Sequence, residues 1–148
     1  MAEHIAGRAN SWDKLSVLDE HVHSLSQVYP HLANPVQLQK AAGAWAAFPA
    51  PTEIIPVNTV AADFDIHFIS VSTISANGSY LLALYMGAAL SEVLIGEFDF
   101  YRNAVQSQEG SQPFQTIIIP ANTRISASIS SSNAAQDTCF IKLRFHVY

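Results

Sequence analysis

This chain of 148 residues has a single cysteine, Cys139, so no internal disulfide is possible and the redox compartment is left open. Charge is also scarce. Only 13% of residues are charged, about half the share usual in globular domains, and Ser, Ala, Asn, Gln and Thr take their place. A polar but weakly charged surface costs less to desolvate against a partner, which suggests a subunit with extensive contacts. The net charge is −5, and the region from Glu53 onward has four basic residues, Arg102, Arg124, Lys142 and Arg144, against eight acids. That balance lacks the clustered basic face needed to bind nucleic acid. No run approaches the ~20 apolar residues of a membrane span. Residues 1–10 (MAEHIAGRAN) lack the apolar stretch of a signal peptide, so synthesis and folding in cytoplasm are expected. G-x-S-x-G, H-E-x-x-H, C-x-x-C and glycine-rich phosphate loops are all missing from the sequence. Cys139 lies on the alternating apolar face and has none of the cationic surroundings that activate a thiol, so it reads as a small core hydrophobe. No enzyme activity and no cofactor are expected.

What the sequence does contain is a change of rhythm near residue 50. Before it, Leu15, Leu18, Val22, Leu25 and Tyr29 recur at spacings of 3, 4, 3 and 4, a two-heptad seam. Asn10 or Ser11 supplies an N-cap, Asp13 suits the first turn, and Pro30 ends the helix. The seam packs on the chain's own sheet or joins sister helices about a symmetry axis. Asn34, Pro35 and Gly43 have the N-cap, N1 proline and C′ glycine of a short second helix. A Pro/Ala-rich linker follows, whose Trp45 and Phe48 are suited to plug a gap against the domain or a neighbouring subunit.

After the linker, apolar residues recur every second position. Cys139, Ile141, Leu143, Phe145 and Val147 alternate with Phe140, Lys142, Arg144 and His146, as in a strand with one face in a core. A chain ending in such a strand is expected to carry no C-terminal appendage. Strands are predicted at 53–60, 64–73, 79–87, 92–102, 115–119, 123–131 and 138–148, with a tight turn at Asn77-Gly78 and a long polar loop over 103–113. The expected fold is mainly β: an antiparallel β-sandwich or jelly roll of seven to eight strands over 53–148, preceded by a helical arm over 1–52.

One constellation could carry chemistry. Asp63, Asp65 and His67 alternate with apolar residues and share a strand face, as do Glu97 and Asp99. If those strands were neighbours, the group would suit a hard cation or a carboxylate pair. The simpler alternative is a polar strand face turned to solvent or to an interface. His21 and His23, two apart on a helix, cannot share a metal, and His4, His31 and His146 show no partner in the sequence.

The words VQSQEGSQP and TIIIPANTRISASISSSNAA, leading into the closing β run, resemble small β-sandwich structural proteins of tailed phages. The likeness rests on Ile119-Pro120-Ala121, Thr123-Arg124-Ile125 and Ser130-Ser131-Ser132, and spans about the last 95 residues. It implies a virion building block, often trimeric and without enzymatic activity, and it carries over no functional residue. The expectation is a capsid decoration (cement) protein, made in host cytoplasm and bound as a homotrimer to the major capsid protein of the virion surface. Such a protein would bridge shell subunits by matching their local symmetry. The alternative is a receptor- or carbohydrate-binding sandwich on a tail or fibre, with Tyr80, Tyr85, Phe100 and Tyr101 as stacking candidates.

Overall fold

The computed structural model describes residues 26–31 and 34–148. Among them nine strands form: β1 (Gln27–Tyr29), β2 (Val36–Gln39), β3 (Thr52–Ile55), β4 (Phe64–Ser72), β5 (Gly78–Met86), β6 (Val93–Arg102), β7 (Gly110–Pro113), β8 (Ile125–Ser131) and β9 (Thr138–Val147). The described residues include no helix long and apolar enough to cross a membrane. Two antiparallel sheets result. The first runs β1-β9-β4-β7, with β2 beside β1 along the same edge of β9, and the second runs β3-β8-β5-β6.

The pairings nest. β2 pairs with β9, β3 with β8, β4 with β7 and β5 with β6, as in one long hairpin whose tip is the β5–β6 turn. Successive pairs lie in alternate sheets, and the β4–β9 and β5–β8 pairings complete each layer. A hairpin rolled up in this way is how a jelly roll hides its edges.

Alternation decides what fills the space between the layers. Ile66, Ile69 and Val71 of β4 and Cys139, Ile141 and Leu143 of β9 face Leu82 and Leu84 of β5 and Ile125 and Ile129 of β8, all fully buried. Tyr80, Phe100 and Phe98 stack in turn along β5 and β6, and Phe114 meets Phe98 edge-on. Phe114 also lies over Gly96, where an added Cβ would stand 2.4 Å from its ring, so any side chain at this position would have to displace the ring.

Sequence and structure part company at the edges. Of the predicted seam, Leu15, Leu18, Val22 and Leu25 lie outside the described residues, and Tyr29 belongs to strand β1, opposite Leu143. The predicted short helix after Pro35 is strand β2. Its Val36 and Leu38 alternate with two glutamines, and the free edge of β9 offers a ladder that outweighs helix capping signals. Gly43, at φ +104°, serves a turn rather than a helix end. Among the described residues the strands of the sandwich therefore start at Gln27, ahead of the expected start at Glu53. Pro30 and Pro35, with no N–H to give, bracket the break between β1 and β2. The predicted strand over 115–119 is irregular apart from a bridge between Ile119 and Phe64, whereas the predicted loop over 103–113 contains β7.

The linker lies across the outward face of β8. Ser128 Oγ donates to the Pro49 carbonyl (2.9 Å), Ser130 Oγ to the Ala46 carbonyl (2.8 Å), and the Trp45 N–H to the Ser131 carbonyl (2.7 Å). This covering explains why every residue of β8 is buried although only alternate ones face the core. Phe48 is half-buried and Trp45 remains 54% exposed.

At the end of the sandwich where β2 stops, Lys40 is only 2% exposed. Its ammonium donates to the carbonyls of Asn133 (2.6 Å), Gly43 (2.7 Å) and Ala135 (3.0 Å). Asp137, equally buried, accepts from Asn133 Nδ2 (2.7 Å), Ser131 Oγ (2.8 Å) and the Tyr80 hydroxyl (3.2 Å). Burial, and then the Asp137 charge, push the Tyr80 phenol well above its ordinary range.

Two outcomes follow from this packing. Lys40→Met should cost about 1–3 kcal/mol, read by urea unfolding, because it removes the donor shared by three part-buried carbonyls. Burial pushes the Cys139 thiol up to about 12. A thiol-specific reagent at pH 8 should therefore leave the native chain unmodified and label it fully in denaturant, as counted by mass spectrometry.

Candidate functional site

Two regions of the surface are built rather than incidental. The first lies at the sandwich end formed by the β5–β6 turn. Arg124, at the start of β8, reaches Glu53 Oε2 of β3 through Nε (2.8 Å) and Glu92 Oε1 through Nη1 (3.1 Å). Its carbonyl accepts the Gly87 N–H (3.0 Å), so one residue ties three chain segments together. Between Gly87 and Glu92 the turn presents Leu90, fully exposed and at φ +70°. A bulky residue in the left-handed region is strained, and such strain gathers at functional surfaces. Exposed Val57, Val93 and Leu94 flank this end, and a shallow cleft of about 360 Å³ runs past Val57, Ala88, Ala89 and Arg124.

The second region is on the outward face of the first sheet. There the β4 ladder with β9 slips by one residue between Ile66 and Phe68, so His67 sits in a β-bulge. The slip reverses the alternation. Ile66 faces the core before it and Ile69 after it, while Phe68 turns outward beneath the Arg144 guanidinium, 5.6 Å from the ring centre. The sequence alternation had placed Phe68 on the face of Phe64 and Ile66. The bulge is pinned from the other side: the Phe114 N–H donates to the His67 carbonyl (2.8 Å), and Thr116 Oγ1 accepts the Ile66 N–H (3.0 Å).

Asp65 and His67 stay on one face of β4, as their alternation has them, with 2.8 Å between His67 Nε2 and Asp65 Oδ1. Across the ladder Asp65 opposes His146, and the two imidazoles lie 4.2 Å apart, centre to centre. Asp65 is 3% exposed, and the Tyr148 side chain hydrogen-bonds to it. Asp63, the third member of the sequence group, instead caps the Ala121 N–H (2.8 Å). Glu97 and Asp99 are on β6 in the other sheet, so they do not meet β4. His146, which showed no partner in the sequence, completes the cluster; only the β4–β9 register, invisible in sequence, announces it. Of the stacking candidates, Tyr80 and Phe100 have their rings in the core, whereas Tyr85 and Tyr101 are half-buried.

No protein-family model matches the chain, and no curated protein matches it. Solved structures show distant likenesses. Eiger, a TNF from S. frugiperda, is 8% identical over 85% of this chain and 93% of that one, at a TM-score of 0.44. A structure of Bacillus endospore appendages, which form a novel family of disulfide-linked pili, is 13% identical over 85% and 92%, at 0.38. The infectious bursal disease virus VP2 subviral particle is 13% identical over 85% of this chain and 34% of that one, at 0.40. At such TM-scores these likenesses decide nothing about function, and the fold rests on its own strand order.

Glu92 gives the first region a pH signature. Its carboxyl is held below the ordinary glutamate range by its own backbone N–H and by Arg124. A depressed carboxylate contributes stability above its unfolded value, about 4.3, and loses it as pH falls through the lower folded value. Between pH 5 and pH 3 the melting temperature of the wild type should therefore fall more steeply than that of Glu92→Gln, by differential scanning calorimetry.

Proposed function

We propose that this chain is a structural subunit of a virus particle, a decoration protein that binds the assembled shell as a homotrimer and stabilises it. It works by contact and not by catalysis, with the major capsid protein as partner. The observation that carries this reading is the Leu90 turn: a strained, fully exposed apolar side chain, flanked by Val57, Val93 and Leu94 and braced by Arg124. A rigid scaffold that spends an ion-pair network on presenting leucine to solvent is suited to insert it into another surface. The resemblance of the Thr123-Arg124-Ile125 stretch to phage structural proteins supports the same reading, because that arginine is the brace. Light scattering should report three copies per particle in solution, and the protein should co-sediment with capsids. Leu90→Asp should keep the melting temperature while weakening attachment about 10- to 100-fold, the value of one buried leucine. A monomer that fails to sediment with capsids would discard the proposal.

One observation favours the second reading, a carbohydrate-binding module of a tail or fibre. Trp45, Asp99 and Tyr101 line a cleft of about 320 Å³ beside β5 and β6. An exposed indole near a carboxylate suits a sugar ring, with stacking on one and a hydroxyl bound to the other. Glycan-array binding that is lost in Trp45→Ala would favour this module over the shell protein.

A further inference from the structure

We propose that Asp65, His67 and His146 form a binding site for a zinc-class divalent cation, bridging β4 and β9 on the outward face of the first sheet. The proposal is independent of the shell-binding reading. The three side chains supply one carboxylate and two imidazoles, a donor set that favours zinc over the oxygen-seeking calcium and magnesium. Their ligand atoms all lie within 4.8 Å of one another. Zinc with bonds of about 2.0–2.1 Å in tetrahedral array needs donors ~3.4 Å apart. The Asp65–His67 pair, at 2.8 Å, must open slightly and the widest pair must close by somewhat more than 1 Å, within reach of side-chain rotation.

Three features mark the group as prepared for a cation. Asp65 and His67 project from one face of β4 within hydrogen-bond distance of each other, and the β4–β9 register sets His146 opposite Asp65. The bulge backbone is fixed by Phe114 and Thr116, so the ring projects from a rigid element. Around the donors stands an outer layer. Tyr148 hydrogen-bonds to the Asp65 carboxylate, the kind of support that orients a ligating oxygen. On entry the cation takes the place of the hydrogen bond between His67 Nε2 and Asp65 Oδ1, any proton released passing to solvent, and the two imidazoles, 4.2 Å apart, each offer it a ring nitrogen. Three protein donors leave a fourth position for water or a further ligand.

Isothermal titration of the full chain with zinc chloride, with bound metal counted by mass spectrometry, tests this. One ion per chain is expected, with a rise in melting temperature. His67→Gln/His146→Gln alters two partly exposed side chains; it should keep the wild-type circular dichroism and bind zinc at least 100-fold more weakly. Tyr148→Phe should weaken binding about 10-fold. Replacing His4, His21 and His23 together by Gln should change nothing. Absence of stoichiometric binding in the wild type, or retention of it in the double variant, or its loss in the triple variant, would overturn the site.

Discussion

The Lys40 ammonium and the Asp137 carboxylate, both buried at one end of the sandwich, set the terms for the rest of the structure. Lys40 leaves β2 and gathers carbonyls from the turn after it and from the β8–β9 connection. Asp137 leads into β9 and draws in β5 through Tyr80 and β8 through Ser131. The Lys40 N–H also donates to the Asp137 carbonyl (3.1 Å), so the two groups are joined through the backbone. Charges this far from water are tolerated only when fully hydrogen-bonded. No buried side-chain nitrogen or oxygen among the described residues lacks a partner. The geometry that satisfies both charges requires β2 in its place on β9, which in turn makes the nested pairing close.

Much of the central fold was legible because a half-buried strand writes its faces into alternate residues. β4, β5, β6, β8 and β9 each fall within two residues of their predicted bounds. The short edge strands of the first sheet were not legible. β1, β2 and β7 have three or four residues each, too few to show a period, and their conformation is set by the neighbour they lie against. Gly110, Ser111, Gln112 and Pro113 read as a loop in any sequence, yet they form β7 because β4 has a free edge there. The histidine cluster failed to show for a different reason. Asp65 and His67 could be read as sharing a face, but His146 is 79 positions from His67 in the sequence and reaches them only through the β4–β9 register.

Arg124 shows how one residue unites what the sequence offered separately. It belongs to the stretch that resembles phage structural proteins, and it opens the strand whose outward serines receive the linker. From that position its guanidinium spans to β3 and to the start of β6, and its carbonyl anchors the turn that carries Leu90. A loop fixed at its root in this way presents its tip with little freedom left to lose on binding.

The nested pairing also has a cost in time. In a hairpin rolled from its tip, the β5–β6 pair is local, while β2 must find β9 across some hundred intervening residues. Proteins dominated by such distant pairings fold slowly, since loop-closure entropy must be met before the contacts return anything. During synthesis β2 and β4 emerge early and wait, because the strand that lies between them is β9. Until it arrives, the first sheet has no centre, and the apolar faces of β4 and β5 are exposed to other nascent chains. The assembled fold is therefore guarded less by its rate of formation than by what keeps those two strands apart from strangers in the interval.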